Sequence, residues 1–228
     1  MMKASGEPGA GGGKQAIRVA VAMLSGDTLC TDTAFALVNM GMWSLSRCYK
    51  DFRIVAFVNH KCSDVAHGRN CVVREILGMG QGITHILFVD SDMTFPVDTL
   101  ARLLAHRRAL VGIDACTRRP PYRRVARRTG ALVEMGAGIL LVEAQVFDKI
   151  AFPWFECRYR EDGGRESEDF DFCQKALRAG AIPFLDEELS KQVGHLGMME
   201  FTLEVADAAR GSEQGGSKQP EGERRRGA

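Results

Sequence analysis

Long apolar runs are missing from this 228-residue sequence: none approaches the roughly 18–20 residues that cross a bilayer. Met1 to Gly13 also lacks the apolar stretch of a secretory signal. None of the seven cysteines (30, 48, 62, 71, 116, 157, 173) forms a C-x-x-C pair, and seven is an odd number, which speaks against a zinc knuckle or a disulfide framework. Reduced thiols serving as small core hydrophobes are expected instead, in a cytoplasmic protein. An excess of one charge is missing too. With 30 Lys+Arg against 29 Asp+Glu, a wholly basic surface is excluded, although a local basic patch is not. There is no internal repeat and no P-loop: around Gly11-Gly12-Gly13-Lys14 the first glycine of that motif would fall on Pro8, and Gln15 replaces its Ser/Thr. This stretch reads as a linker.

What is present is ordinary globular composition, 45% hydrophobic and 26% charged. Residues 1–14 and 206–228 hold 10 of the 25 glycines, carry a net charge of +2 and have almost no large apolar side chains. They read as a flexible N-terminal segment and a flexible C-terminal tail around a single domain, 15–205. Phe201–Ala209 has modest amphipathic character and reads either as a closing helix or as part of the tail.

Strand and helix patterns alternate in the first half. Ile17–Met23, Phe52–Val58, Thr84–Val89 and Ala109–Ala115 read as buried strands. Thr33–Arg47 and Asp64–Met79 read as helices, and Pro96 predicts a helix opening near Val97–His106. The alternation predicts an α/β fold with a mainly parallel sheet flanked by helices. Further on, 117–130 reads as a loop, Ala131–Met135, Gly138–Val142, Ile182–Leu185 and Gln192–His195 as short extended pieces, and Gln145–Ile150 as a short helix. Ser167 is placed to cap a helix over Glu168–Ala179 that Gly180 ends.

Three features point to chemistry. Asp90-Ser91-Asp92 follows a buried strand, at the edge where open α/β sheets bind ligands. Two carboxylates at this spacing either share a hard divalent cation such as Mg²⁺ or Mn²⁺ or end a strand and make a turn. Glu166-Ser167-Glu168-Asp169-Phe170-Asp171 puts four acids in six residues at a helix start. They form either a solvated acidic turn favoured by the helix dipole or, pinned by Phe170, Phe172, Cys173 and Leu177, a platform for a positioned general base. His195, between Gly194 and Gly197, is either a structural histidine or, if it converges on Asp92, a metal ligand.

These features recur in order with others: Gly68-Arg69-Asn70, then His85 through Pro96 (HILFVDSDMTFP), Met135 through Val142 (MGAGILLV), Ser167 through Cys173 and Val193 through Gly197. From Arg69 to Gly197 the chain resembles small glycosyltransferases of the GT-A fold, the family-two-like kind found in bacteria and phages. The resemblance implies a metal-dependent, inverting transfer of a sugar from a nucleotide-diphosphate sugar, UDP-linked above all, to an acceptor hydroxyl. It implies Asp92 as the direct ligand of Mn²⁺ or Mg²⁺, His195 completing the metal site, and Asp90, with Ser91, near the donor ribose and the water shell of the metal. It implies Asp169 as general base, with Glu168 the second candidate, and Gly136-Ala137-Gly138 as a turn where backbone approaches the sugar. In the loop Leu24–Asp32 and on the neighbouring helix, Ser25, Asp27 and Arg69 become candidates for the donor. The first strand ends in Met23-Leu24-Ser25 where the family has a Pro before a polar residue.

Arg118, Arg119, Arg123, Arg124, Arg127 and Arg128 put six guanidiniums in eleven residues around Pro120-Pro121-Tyr122, with no acid among them. This is either a solvated loop or an anion-binding flap, with Arg pairing phosphates and Tyr122 stacking on a base. A polyanionic acceptor such as DNA with a hydroxylated base fits the second reading, and Arg224-Arg225-Arg226 would add weak attraction. Two alternatives stand beside the glycosyltransferase. A nucleotidyltransferase of related fold would carry a Gly-rich, Arg/Lys-bearing signature after the first strand, which Ser25–Asp32 lacks. A non-catalytic polyanion-binding module would need no carboxylate site.

Overall fold

A computed structural model describes residues 16–130, 132–197 and 200–215. The segments 1–14 and 216–228, with the Gly11–Lys14 linker, Ala131 and Arg224-Arg225-Arg226, lie outside the described residues. The elements in chain order are β1 (Ile17–Ser25), α1 (Thr31–Arg47), β2 (Phe52–Lys61), α2 (Val65–Gly78), β3 (His85–Asp90), β4 (Met93–Thr94), α3 (Thr99–Ala105) and β5 (Leu110–Gly112). There follow β6 (Arg127–Thr129), β7 (Leu132–Glu134), β8 (Ile139–Glu143), α4 (Gln145–Lys149), β9 (Arg158–Tyr159), β10 (Arg165–Glu166) and α5 (Glu168–Arg178). The described chain closes with β11 (Phe184–Leu185), α6 (Glu187–Ser190), β12 (Gly194–Leu196), β13 (Glu200–Phe201) and α7 (Leu203–Gly215).

Strands buried on both faces need apolar residues at every position. Val19-Ala20-Val21-Ala22 and Ile86-Leu87-Phe88-Val89 supply them, all at 1% exposure or less. They place β1 and β3 in the middle of a six-stranded sheet of order β2-β1-β3-β8-β5-β11. Because side chains alternate along a strand, each strand feeds two separate cores. Ala20, Ala22, Ile86, Phe88, Leu140 and Val142 join Val72, Val73 and Ile76 of α2, Phe147 of α4 and Phe172 of α5 on one face. Val19, Val21, Leu87, Val89, Ile139 and Leu141 join Leu37 and Met40 of α1 and Leu100 and Leu103 of α3 on the other. The result is an α/β fold, with a mainly parallel sheet flanked by helices.

Five of the six strands run one way. The exception is β8, antiparallel to both β3 and β5, so the sheet mixes directions that alternation alone would make parallel. Gly112 of β5 faces β8 so closely that a Cβ there would lie 2.4 Å from the Met135 sulfur and 2.9 Å from Leu140 Cδ1, with the Ile139 carbonyl at 3.3 Å. Gly112→Ala is therefore expected to destabilise the fold by about 1–3 kcal/mol, as overpacking does, read as a lowered urea midpoint at unchanged slope.

The structure corrects several local expectations. Pro96 does not open a helix: its carbonyl accepts from Thr99 N at 3.2 Å in a turn, and α3 starts at Thr99. The stretch 117–130 is no plain loop, since Cys116 bridges Arg124 and β6 pairs with β7. Ser167 occupies the N-cap position of α5, but its hydroxyl donates to Asp169 instead of closing a cap bond to the helix. Gly180 does end that helix, at φ +85°, where L side chains are strained. Of the seven thiols, all free, only Cys116 and Cys173 are buried; Cys30 is exposed. The amphipathic Phe201–Ala209 contributes to a closing helix, α7, whose Ala206 is buried against Cys116 and Phe201. Among the described residues, no helix is long and apolar enough to cross a membrane.

Candidate active site

Asp90 is the last residue of β3, and its amide donates to the Gly138 carbonyl at 2.9 Å. That bond follows from the reversed direction of β8: the turn entering β8 meets the chain leaving β3 at one edge of the sheet. Beyond Asp90 the chain is held twice. Cys30 N donates to Ser91 O at 3.1 Å, and Leu196 N donates to Asp92 O at 2.7 Å. β4 then pairs antiparallel with β12, setting His195 opposite Met93. Residues 103 positions apart in sequence thereby converge, with His195 Nε2 3.5 Å from Asp92 Oδ1.

The far nitrogen of the ring, Nδ1, lies 3.0 Å from the Cys116 carbonyl, which can only accept. In neutral imidazole this assigns the proton to Nδ1 and leaves the Nε2 lone pair on the side of Asp92, the tautomer of metal-ligating histidines. Two electron-pair donors that close need a cation or a proton beside them. A guanidinium is already there: Arg118 Nη1 reaches Asp92 Oδ2 at 2.5 Å and Leu196 O at 3.3 Å. Burial pushes the Asp92 carboxyl up, but His195, when its Nε2 carries a proton and donates to Asp92, and then Arg118 outweigh it and hold the carboxyl below its ordinary value. Among the described residues no group of three or more His, Cys, Asp or Glu could hold a metal ion. The donor set is the pair Asp92 and His195, which fits a divalent ion whose other ligands are phosphate oxygens and water.

Arg69 lies under this edge. Its Nη2 is 3.1 Å from Asp90 Oδ1, its Nε 3.4 Å from Glu168 Oε1, and its Nη1 donates to Ala137 O at 3.4 Å. The side chain is 3% exposed, with its guanidinium about 6 Å from the ring centres of Phe88 and Phe155. Burial works against its charge, yet Asp90, Glu168 and Asp169 outweigh burial and raise its pKa. Sequence reading placed Arg69 with the donor nucleotide; its guanidinium instead faces protein carboxylates. The signal was legible, because Arg69 occupies the stripe Arg69–Val72–Val73–Ile76 that α2 buries. A charged residue on a buried helical stripe requires partners.

Glu168 and Asp169 open α5 and differ in environment. Glu168 is tied to Arg69, whereas Asp169 has no ion pair among the described residues. Its Oδ1 accepts from Phe170 N at 2.9 Å and from the Ser167 hydroxyl. Burial, reinforced by Glu168, raises its pKa, and burial likewise raises that of Asp90 despite Arg69. The two glycines of Gly136-Ala137-Gly138 leave room beside these acids. A Cβ at Gly136 would lie 3.5 Å from Asp169 Oδ2, and one at Gly138 would lie 3.7 Å from Asp90 Oδ2. A polar groove of about 880 Å³ ends at Ser167 and Glu168, walled by Asp64, His67, Asn70, Glu156 and Arg165. Asn70 fixes that wall, donating to Phe155 O at 2.7 Å and accepting from Trp154 N and Phe155 N.

The remaining candidates are placed as follows. Ser25 is buried at the end of β1 and hydrogen-bonded to Asn59. Asp27 is exposed, 3.7 Å from Lys61. Three of the six arginines of the cluster meet acids: Arg118 on Asp92, Arg124 on Asp114, Glu187 and Asp207, Arg128 on Glu187. Arg127 lies over the Phe170 ring at 4.9 Å, and Tyr122 packs on Phe201 at 5.3 Å. Among the described residues only the Arg119 and Arg123 side chains of this cluster lack a protein partner. Sequence reading missed Asp114, which is 2% exposed and accepts from Ala126 N at 2.8 Å, anchoring the segment. It also missed the Cys116 carbonyl, which a backbone atom's anonymity in sequence conceals.

No protein-family model matches the sequence, and no curated protein matches it either. Solved structures of similar shape do exist. The protein A197 from STIV is 14% identical with a TM-score of 0.49, over 79% of this chain and 86% of that one. A Bacillus anthracis protein described as a glucose-1-phosphate thymidylyltransferase, in complex with a sucrose, is 13% identical with a TM-score of 0.49, over 84% and 95%. A glycosyltransferase involved in glycosylation of the major capsid of PBCV-1 is 9% identical with a TM-score of 0.38, over 85% and 98%. At TM-scores below 0.5 these likenesses carry no functional weight.

Proposed function

We propose that this chain is an inverting GT-A-type glycosyltransferase that moves a sugar from a nucleotide-diphosphate sugar, a UDP-sugar first, to an acceptor hydroxyl. The observation that carries the proposal is the unequal treatment of two adjacent carboxylates, with Glu168 ion-paired to Arg69 and the half-buried Asp169 given no ion pair of its own among the described residues. A carboxylate whose pKa is raised, as that of Asp169 is, is a stronger proton acceptor than a free one. Asp169 takes the proton of the acceptor hydroxyl, whose oxygen attacks the anomeric carbon from the face opposite the departing diphosphate. A single displacement of this kind inverts the centre. Glu168 acts through Arg69 as a positioning residue, and the absent side chains of Gly136 and Gly138 leave space beside Asp169 and Asp90 for the sugar. The polar groove ending at Ser167 is the acceptor's approach.

Asp92 and His195 would hold a Mn²⁺ or Mg²⁺ ion, whose contribution when bound is Lewis-acid stabilisation of charge on the leaving diphosphate. Asp90, locked by Arg69, faces the donor side, and Arg118 must leave Asp92 for an ion to bind there.

The test is thermal unfolding with UDP, GDP, CMP and their sugar conjugates, each with and without Mn²⁺, on the parent and on Asp92→Asn. A ligand at one hundred times its Kd stabilises by about 2.7 kcal/mol, which in a chain of this length is on the order of 5 °C or more. One nucleotide should give such a shift with Mn²⁺ in the parent and lose most of it in the variant. No shift with any nucleotide, or equal shifts in both proteins, overturns the proposal.

A further inference from the structure

Helix α1 has two apolar faces and only one of them meets the core. Thr33, Leu37, Met40 and Ser44 are buried against the sheet. On the opposite side Phe35, Val38, Met42 and Leu45 stand 62%, 60%, 64% and 68% exposed. Their spacing of three, four and three residues is that of the a and d positions of a helix seam. Helix faces turned to solvent ordinarily carry charge. Here fourteen consecutive residues, 33–46, include none, and the only charged residues of the helix are Asp32 at its start and Arg47 at its end.

Beside this ridge runs an apolar groove of about 760 Å³, between α1 and β2, the edge strand of the sheet. Phe57, 57% exposed, lies over Gly41, and Tyr49 closes the end. Val38, Met42 and Leu45 of the ridge form one wall of this groove, so the two are one continuous apolar surface, and a two-fold contact uses the same patch on both copies.

We propose that this face is the interface of a homodimer in which two α1 helices pack antiparallel. In that orientation Phe35 meets the partner's Leu45 and Val38 meets the partner's Met42. The acidic start of each helix, at Asp32, then lies at the end of the other that carries Arg47, and the two helix dipoles oppose each other favourably. A parallel pairing would bring like charges together. Other occupants fit less well. The only large apolar residues in segments 1–14 and 216–228 are Met1 and Met2, too few to cover four exposed side chains. The surrounding charges, Asp32 and Asp51 with Arg47, Lys50 and Arg53, are of mixed sign, whereas an anionic lipid surface selects a basic rim.

The experiment is sedimentation of the full chain between about 1 and 100 μM, alone and with vesicles of phosphatidylcholine and phosphatidylglycerol, with thermal unfolding over the same range. The parent should double its sedimenting mass and unfold at a temperature that rises with concentration. Val38→Glu/Met42→Glu should weaken association at least a hundredfold with an unchanged circular dichroism spectrum, and Val38→Ser/Met42→Ser, the milder pair, by a smaller factor in the same direction. A parent that stays monomeric throughout overturns the proposal. So does a dimer indifferent to both variants, or a parent that is monomeric in solution and sediments with the vesicles.

Discussion

Replacing Arg69 by Met is expected to destabilise the protein by about 3 kcal/mol or more at pH 7, because removing one partner of a buried ionic cluster strands the others. Glu168 and Asp90 would lose their shared cation; Asp90, with a third of its side chain still exposed, contributes the smaller part. The deficit should depend on pH. Asp90, already raised by burial with Arg69 in place, rises further when the guanidinium is gone. The variant's stability is then fullest below the unfolded value, near pH 4, and falls as pH rises through the folded one. Urea unfolding at pH 7 and pH 5 checks this, since the gap between parent and variant should narrow at the lower pH. Arg69→Lys should recover only part of the loss, because an ammonium cannot span Asp90, Glu168 and the Ala137 carbonyl with one planar fork.

The second large effect is expected at Asp169. Asp169→Asn should slow sugar transfer by about 10²- to 10⁴-fold, the usual contribution of a positioned base, while leaving the melting temperature equal or higher. The increase follows from the sign of the shift. A carboxyl whose folded pKa is raised contributes stability below its unfolded pKa and loses it as pH rises through the folded value. At neutral pH the parent therefore holds a charge that burial opposes, and the amide does not. The acid limb of the parent's pH–rate profile should lie above the ordinary value of an aspartate, the direction in which desolvation and the neighbouring Glu168 push Asp169. A variant that transfers at the parental rate removes Asp169 from the mechanism. One that loses rate and stability together makes it a structural acid.

The sequence made the sheet legible where hydrophobic runs were long. β1 and β3 fell within a few residues of their observed limits, because continuous burial leaves no polar position to blur the pattern. It failed where a long-range partner decides the outcome. The direction of β8 depends on β3 and β5, not on Ile139–Glu143 itself, and the arginine-rich segment is stapled by the nearby Asp114 and by Glu187 and Asp207, which are far from it in the chain. The same asymmetry holds at the candidate site. Asp90, Asp92 and the Glu168–Asp169 pair stand out as local clusters. That Arg69 answers Asp90 and Glu168, and that Arg118 answers Asp92, follows from pairings 21, 99 and 26 residues apart, which no local window spans.

The reversed course of β8 also divides the molecule's two rims. The groups discussed for catalysis gather around the rim where β3 ends and β8 begins, Asp90 leaving β3 there and α2, α5 and β12 bringing Arg69, Asp169 and His195 to it. The connections before β2, β3 and β5 and after β8, namely Cys48–Asp51, Met79–Thr84, His106–Ala109 and Glu143–Ala144, turn at the opposite rim. Among them Gly80 and Gly82 have positive φ, and Met79–Gly82 is mostly exposed. That rim is structurally free to drift: extra residues, a fused domain or relocated chain ends at Met79–Gly82 would leave the catalytic rim undisturbed, so new surfaces could be acquired there without renegotiating the chemistry.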